Sequence, residues 1–279
     1  MSDSKVIDSI RAKLSSMQNQ NTRRMLTWKP TKGEEAQVRI LPYKHGPDPF
    51  NELYFHYNLG NTKLALCPSM SLGGVQKCPI CEYVDQLRRI QPRTAQVEKT
   101  ILELAVRMRV YVPVIIRGRE AEGVKFWGIG KQTYSSIAQL FVDPEYGDIS
   151  DVLKGRDLKV LASPPSGKDR YGRVNIRPSA NASRLNDNLD QMKEWVNGCP
   201  KVFDAFPTKN YAELQEILRE FVSVAEEAST TQENSSVESS PVAPVDLPPK
   251  TEDQSTPLDA GDDVETIDAL LGNLAQNPQ

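Results

Sequence analysis

Residues 102–116 read Leu-Glu-Leu-Ala-Val-Arg-Met-Arg-Val-Tyr-Val-Pro-Val-Ile-Ile. Every even position is apolar: Leu102, Leu104, Val106, Met108, Val110, Val112, Val114 and Ile116. The odd positions include Glu103, Arg107, Arg109 and Tyr111. Period-two alternation over this length predicts a long strand with one face buried and the other open. The open face then carries two guanidinium groups and an aromatic ring.

Shorter segments around it predict a mixed architecture rich in strands. Residues 36–41 read as a strand ended by Pro42, and 54–57 and 63–66 as strands around a turn at Gly60 and Asn61. Residues 124–129 form another strand. Residues 157–162 and 172–177 pair as a hairpin, with Val174 and Ile176 inward and Arg173, Asn175 and Arg177 outward. Helices are expected over 81–90, 131–141, 187–197 and 210–227. At the N-terminus, Val6, Ile7, Ile10 and Leu14 fall at helical spacing among Lys5, Arg11 and Lys13, an amphipathic helix too short to stand alone. Residues 18–34 read as a polar linker.

Four cysteines occur in 279 residues, and Cys67, Cys78 and Cys81 fall within a span of 15. That clustering points to a metal rather than a disulfide framework. Two thiolates reach one ion from the tight turn Cys78-Pro79-Ile80-Cys81, and with His56 the set is Cys3His, a closed tetrahedral arrangement for structural zinc. The chain has two histidines, and His45, in a loop rich in Pro and Gly, competes with His56 for the fourth corner. A redox pair and plain buried thiols are the other readings of the same cysteines. Cys199 reads as an ordinary thiol.

Charge is distributed unevenly. Residues 226–279 hold 12 acidic residues and the single base Lys250, a net of −11, whereas residues 1–225 hold 33 basic and 25 acidic residues, a net of +8. A basic body predicts a polyanionic ligand. Residues 229–257 have the Ser/Thr/Pro/Glu composition of disorder, and Val264, Ile267, Leu270, Leu271 and Leu274 then recur at helical spacing among acids, as in a peptide that folds on a partner. No apolar run approaches the roughly 20 residues needed to span a bilayer, and the N-terminus lacks a secretory h-region. A cytoplasmic protein is expected.

Basic and aromatic residues alternate where a single strand would need them, cations tracking phosphates and rings stacking bases. Arg107, Arg109, Tyr111, Arg117, Arg119, Lys125, Trp127, Lys131 and Tyr134 form one group, and Arg170, Tyr171, Arg173 and Arg177 a second. Core packing is the competing role for Trp127, and a solvated surface charge for each arginine. No Walker-type phosphate loop or nucleophile elbow appears, and a closed metal site leaves no position for a reactive water, so a binding module rather than an enzyme is expected.

The Cys3His set with its Cys-Pro-x-Cys turn, the basic-aromatic strand followed by Val124-Lys125-Phe126-Trp127 and Gly130-Lys131, and the acidic tail together resemble the single-stranded DNA-binding (helix-destabilising) proteins of T4-type bacteriophages. The resemblance runs from about residue 5 to the C-terminus. It implies an α+β protein built on an OB-fold-like β-barrel with an inserted zinc subdomain at about 52–92. Its domains would be an N-terminal self-association segment (1–20, with Lys5, Arg11 and Lys13), a DNA-binding core (21–228) and an acidic tail (229–279) that recruits replication and recombination proteins. The family's compact basic run followed by Ser-Thr is absent. The implied function is cooperative, largely sequence-independent coating of single-stranded DNA in phage replication, recombination and repair, within the bacterial host's cytoplasm. A zinc-containing RNA-binding regulator and a nucleic-acid-processing enzyme are the alternatives, because stacking platforms hardly distinguish DNA from RNA.

Overall fold

The computed structural model describes residues 2–92, 94–167 and 172–233. Two compact units divide the chain, residues 1–234 and 235–279, and every described residue belongs to the first. The expected tail peptide lies outside the described residues, as do Arg170 and Tyr171.

The first unit is mixed α+β around a sheet of eight strands. In chain order its elements are α1 (Ser2–Leu26), β1 (Thr27–Trp28), β2 (Glu35–Ile40), β3 (Asn51–Leu59), β4 (Thr62–Leu66), α2 (Pro68–Ser71), α3 (Pro79–Arg89), α4 (Ala95–Leu104), β5 (Arg107–Ile116), β6 (Lys125–Ile129), α5 (Lys131–Val142), β7 (Leu158–Ala162), β8 (Val174–Pro178), α6 (Leu189–Asn197), α7 (Val202–Ala205) and α8 (Tyr211–Glu233). The sheet runs β1-β6-β5-β2-β7-β8, with β3 pairing both β4 and β5. Among the described residues this path is open.

β5 is the spine. It pairs with β6 along one edge, and with β3 and then β2 along the other. Val110, Val112 and Val114 are fully buried and meet Val38, Ile40, Leu158, Val160 and, from α5, Ile137. Each such side chain contributes roughly 1.5–3 kcal/mol by leaving water.

The reading of residues 102–116 as one strand is corrected at its start, because residues 102–104 close α4. Thr94 caps that helix by accepting from the Val97 N–H. Ile101 and Leu104 then fall on one helical face, and Leu104 is fully buried while Leu102 is 68% exposed. Val97, Ile101 and Leu104 fall at helical spacing across the start of the alternating run, and the cap decides between the two readings.

The expectation of an open odd face is corrected too. Beyond Arg109 that face is covered. Tyr111 packs with Phe55, Phe126 and Phe206, and Ile115 packs with Leu41, Leu185, Met192 and Trp195. The cover comes from residues 185–206, remote in sequence. A buried ion network fastens it. Arg39, with no exposure, donates from Nε to Asp157 Oδ1 at 2.7 Å and from Nη2 to Ser183 Oγ at 2.5 Å. Arg117 donates from Nε to Asp157 Oδ2 at 3.0 Å and from Nη1 to the Leu185 carbonyl at 2.7 Å.

The N-terminal helix is longer than expected. α1 runs to Leu26, and β1 follows it within the stretch read as a linker. Ile7, Ile10 and Leu14 on it are about half exposed, at 49%, 52% and 55%.

Candidate metal centre and nucleic-acid interface

Four side chains from four places converge beside β3. His56 is fully buried on β3. Cys67 follows β4 and occupies the N-cap of α2, Cys78 occupies the N-cap of α3, and Cys81 lies in the first turn of α3. Each N-cap cysteine precedes a proline, which is pre-shaped for the first helical position and lacks the N–H that would go unpaired there.

The ligand atoms lie within 4.8 Å of one another. His56 Nε2 is 3.5 Å from Cys78 Sγ and 3.6 Å from Cys81 Sγ, and Cys67 Sγ is 3.5 Å from Cys81 Sγ. A tetrahedron with Zn–S bonds of about 2.3 Å and Zn–N of about 2.0 Å has N···S edges of about 3.6 Å and S···S edges of about 3.8 Å. The cluster therefore has the dimensions of a four-ligand site. His56 Nδ1 donates to the Leu104 carbonyl at 2.8 Å, which leaves the Nε2 lone pair facing the thiols.

The thiols are strongly coupled. Hydrogen bonds from Cys78 and Cys81 hold the Cys67 thiol far below its usual range, against the opposing effect of burial, and the N–H groups of Met70 and Ser69 add to them. The same sulfur contacts, with burial, push Cys81 up. One metal ion would accept all three as thiolates. The group can bind a single ion and is consistent with structural zinc.

His45 is not part of it. Its Nε2 lies 3.1 Å from the Cys199 carbonyl, and its ring packs edge-on against Tyr43. Cys199 is buried away from the cluster, its thiol pushed up to about 11 by burial.

The apolar shell of the centre is wider than the expected 52–92. It includes Leu104 of α4 and Leu214, Ile217 and Leu218 of α8. Tyr211 Oη also donates to Glu82 Oε2 at 2.7 Å. Only the helical spacing of Leu214, Ile217, Leu218, Phe221 and Val222 hinted that α8 buries a face.

The basic and aromatic residues fare differently from one another. Arg107 and Arg109 are exposed, side by side on the odd face of β5. Arg107 pairs across the strands with Phe55, and the Arg109 guanidinium lies over Gly130. Tyr111 is half-buried, its ring 4.5 Å from that of Phe206 and 6.0 Å from that of Phe55. Burial pushes its hydroxyl above the usual range, although Arg109 and Arg23 oppose the shift. The ring crosses the neighbouring strand at Gly128, where a Cβ would stand 2.9 Å from Tyr111 Cε1. Lys131 is exposed at the first position of α5.

Trp127 is corrected to a core residue. It is 1% exposed and sits edge-on to Trp28 at 5.7 Å, because its even-face register points it into the valine layer. Lys125 is engaged within the chain. Its Nζ donates to the Met25 carbonyl at 2.6 Å and lies 3.9 Å from Glu122, so it ties the end of α1 to β6. Arg173 and Arg177 are exposed on or beside the edge strand β8. Arg177 stands directly opposite Lys159, whose Nζ lies 3.9 Å from Glu35 Oε1 on β2. Of the proposed self-association residues, Arg11 is exposed on α1, and the side chains of Lys5 and Lys13 lie outside those described.

The sequence reading missed a cleft beside this face. It has a volume of about 880 Å³ and lies between α1, β4 and residues 205–209. Arg23, Lys63 and Lys209 line it. These three are far apart in sequence, and no local pattern joins them.

Fold and site thus define an α+β domain with an open eight-stranded sheet and a Cys3His group that could hold one metal ion. No family model matches the chain, and no curated protein matches it. No helix among the described residues is long and apolar enough to cross a membrane.

Proposed function

We propose that the chain is a single-stranded DNA-binding protein, a coat protein of replication, recombination and repair rather than an enzyme. The observation that carries this reading is the exposed pair Arg107 and Arg109 beside the ring cluster of Phe55, Tyr57, Tyr111 and Phe206. Exposed guanidinium groups supply phosphate contacts without reading base edges, and the half-buried Tyr57 and Tyr111, rather than the buried Phe55 and Phe206, are the rings left for stacking. The spine strand, paired on one edge to two successive strands, supports an OB-type barrel as the finer description of the body.

Zn2+ is the proposed ion. His56, Cys67, Cys78 and Cys81 would hold it, and it would staple the lobe that carries β3 and β4. With four protein ligands, it serves structure rather than hydrolysis. In the same reading the basic N-terminal helix supports self-association along the strand. The acidic segment 229–279 recruits replication and recombination proteins, and the setting is a phage-infected bacterial cytoplasm.

The test is fluorescence titration of the full chain with poly(dT) across a salt series, with zinc measured on the same sample and poly(rU) as competitor. Salt-sensitive binding that prefers DNA, at about one zinc per chain, is expected. Preference for RNA would turn the reading to an RNA-binding regulator, and no binding at low salt by folded, zinc-loaded protein would refute it.

A further inference from the structure

The cleft between α1, β4 and residues 205–209 has a composition that its neighbours do not explain. Arg11 and Arg23 enter from α1, Lys63 from β4 and Lys209 from the loop before α8, against one carboxylate, Glu213. Glu213 is already engaged, since its Oε2 accepts from the Asn210 N–H at 2.8 Å. Among the described residues no carboxylate pairs with Arg23, Lys63 or Lys209. Arg23, Lys63 and Lys209, held around one hollow without a carboxylate partner among the described residues, repel one another, and a polyanion removes that repulsion.

The floor limits what kind of polyanion contact is possible. Phe55 and Phe206 line it but are 0% and 5% exposed, so neither presents a bare ring face to a base. The walls therefore meet phosphates, while bases lie outward. The cleft is also continuous with the basic strand, because Phe55 on its floor stands opposite Arg107 in the β3–β5 register.

We infer that this cleft holds the sugar-phosphate backbone of the single strand, with α1 as one of its walls. The inference rests on the DNA-binding reading above and extends it. The N-terminal helix, expected to contact a neighbouring subunit, itself grips the ligand. Strand binding then orders α1 against the body, and contacts made through phosphates give steep salt dependence with little base preference.

The test compares two full-length triple variants of equal charge change. One is Arg23→Glu, Lys63→Glu and Lys209→Glu. The other is Arg89→Glu, Lys99→Glu and Lys154→Glu, at exposed sites away from the cleft. Fluorescein-labelled oligo(dT) anisotropy is read across a salt series, and circular dichroism and metal content establish that both are folded. The cleft variant should lose at least tenfold in affinity and about 2 from the salt slope, at about 0.7 per lost phosphate contact, while the control keeps most of both. The neutral set Arg23→Gln, Lys63→Gln and Lys209→Gln should show the same slope change, and carries the test if charge reversal unfolds the chain. Hydrogen exchange should show residues 11–23 protected by oligo(dT).

Equal losses in the two triple variants would overturn the inference, since net charge alone would explain them. So would a cleft variant that binds like wild type while Arg107→Glu with Arg109→Glu abolishes binding, an outcome that leaves the function standing. Failure of the wild-type chain to bind at low salt would instead remove the function, and the cleft assignment with it.

Discussion

The lobe around the Cys3His group and the sheet body solve the same problem by different means. In the sheet body, Val110, Val112 and Val114 of one strand meet apolar residues of β2, β7 and α5, and the core closes by burial, with the Arg39–Asp157–Arg117 network fastening its cover. In the lobe, the apolar cluster of Leu59, Ile80, Val84, Leu104 and Leu214 surrounds polar ligands, with His56 and Cys78 inside it. Three thiols and an imidazole are costly to bury unpaired, so the lobe depends on what fills their centre. The body should stand without metal, whereas the lobe should not. The contrast reaches α8, whose chain position is remote from the cysteines but whose apolar face completes their shell.

The largest expected effect breaks the lobe alone. Chelation of the metal, or Cys78→Ser, should remove hydrogen-exchange protection from α3, α4 and residues 211–222 while β2, β5 and β7 keep theirs. Structural zinc contributes on the order of 10 kcal/mol to such sites. Persistent protection of 211–222 in metal-free protein would mean that α8 belongs to the body.

Next in size is the reciprocal disruption. Asp157→Ala leaves Arg39 and Arg117 without their shared carboxylate and should cost about 3–5 kcal/mol, roughly 10 °C in Tm, with metal content unchanged. Burial alone would raise the Asp157 carboxyl, but the Arg117 hydrogen bonds and the charges of Arg39 and Arg117 hold it below the usual range. Its stabilisation is thus complete above about pH 4, the unfolded value, and is lost as pH falls through the lower folded value. Wild type and variant should converge in Tm under strong acid, and a gap that widens there would contradict the assignment.

Arg107→Ala with Arg109→Ala should leave stability within about 0.5 kcal/mol, both being exposed. The salt slope of oligo(dT) binding should fall by about 1.4. A large drop in Tm would show that these guanidinium groups support the aromatic cluster instead. The smallest effect is at Thr94, the cap of α4. Thr94→Ala should cost about 1 kcal/mol, seen as faster exchange in the first turn of α4 before any change in β5.

Legibility differed between the two regions for a physical reason. The ligands of the lobe are near in sequence, and metal chemistry restricts them to few residue types at short spacing, so His56, Cys67, Cys78 and Cys81 could be read together. His45 could be set aside only when β3 placed His56 among the thiols. In the body, the alternation of β5 was legible as a strand with Val110, Val112 and Val114 inward. Its outer face was not, because the residues that cover Tyr111 and Ile115 come from 185–206. Trp127 looked like a stacking ring because composition cannot tell which face of β6 is buried, and register put it inside. That Lys125 meets the end of α1 was not legible either, because Met25 lies far from it along the chain.

From sequence alone came the cysteine cluster, the spine strand, most element positions and the division into a basic body and an acidic end, since each depends on local spacing or composition. Tertiary structure decided which face of the sheet is covered, which cations are engaged, that α8 covers the Cys3His group and that α1 borders a basic cleft. Those outcomes are contacts between segments far apart along the chain, and no local pattern encodes which distant surface will meet which.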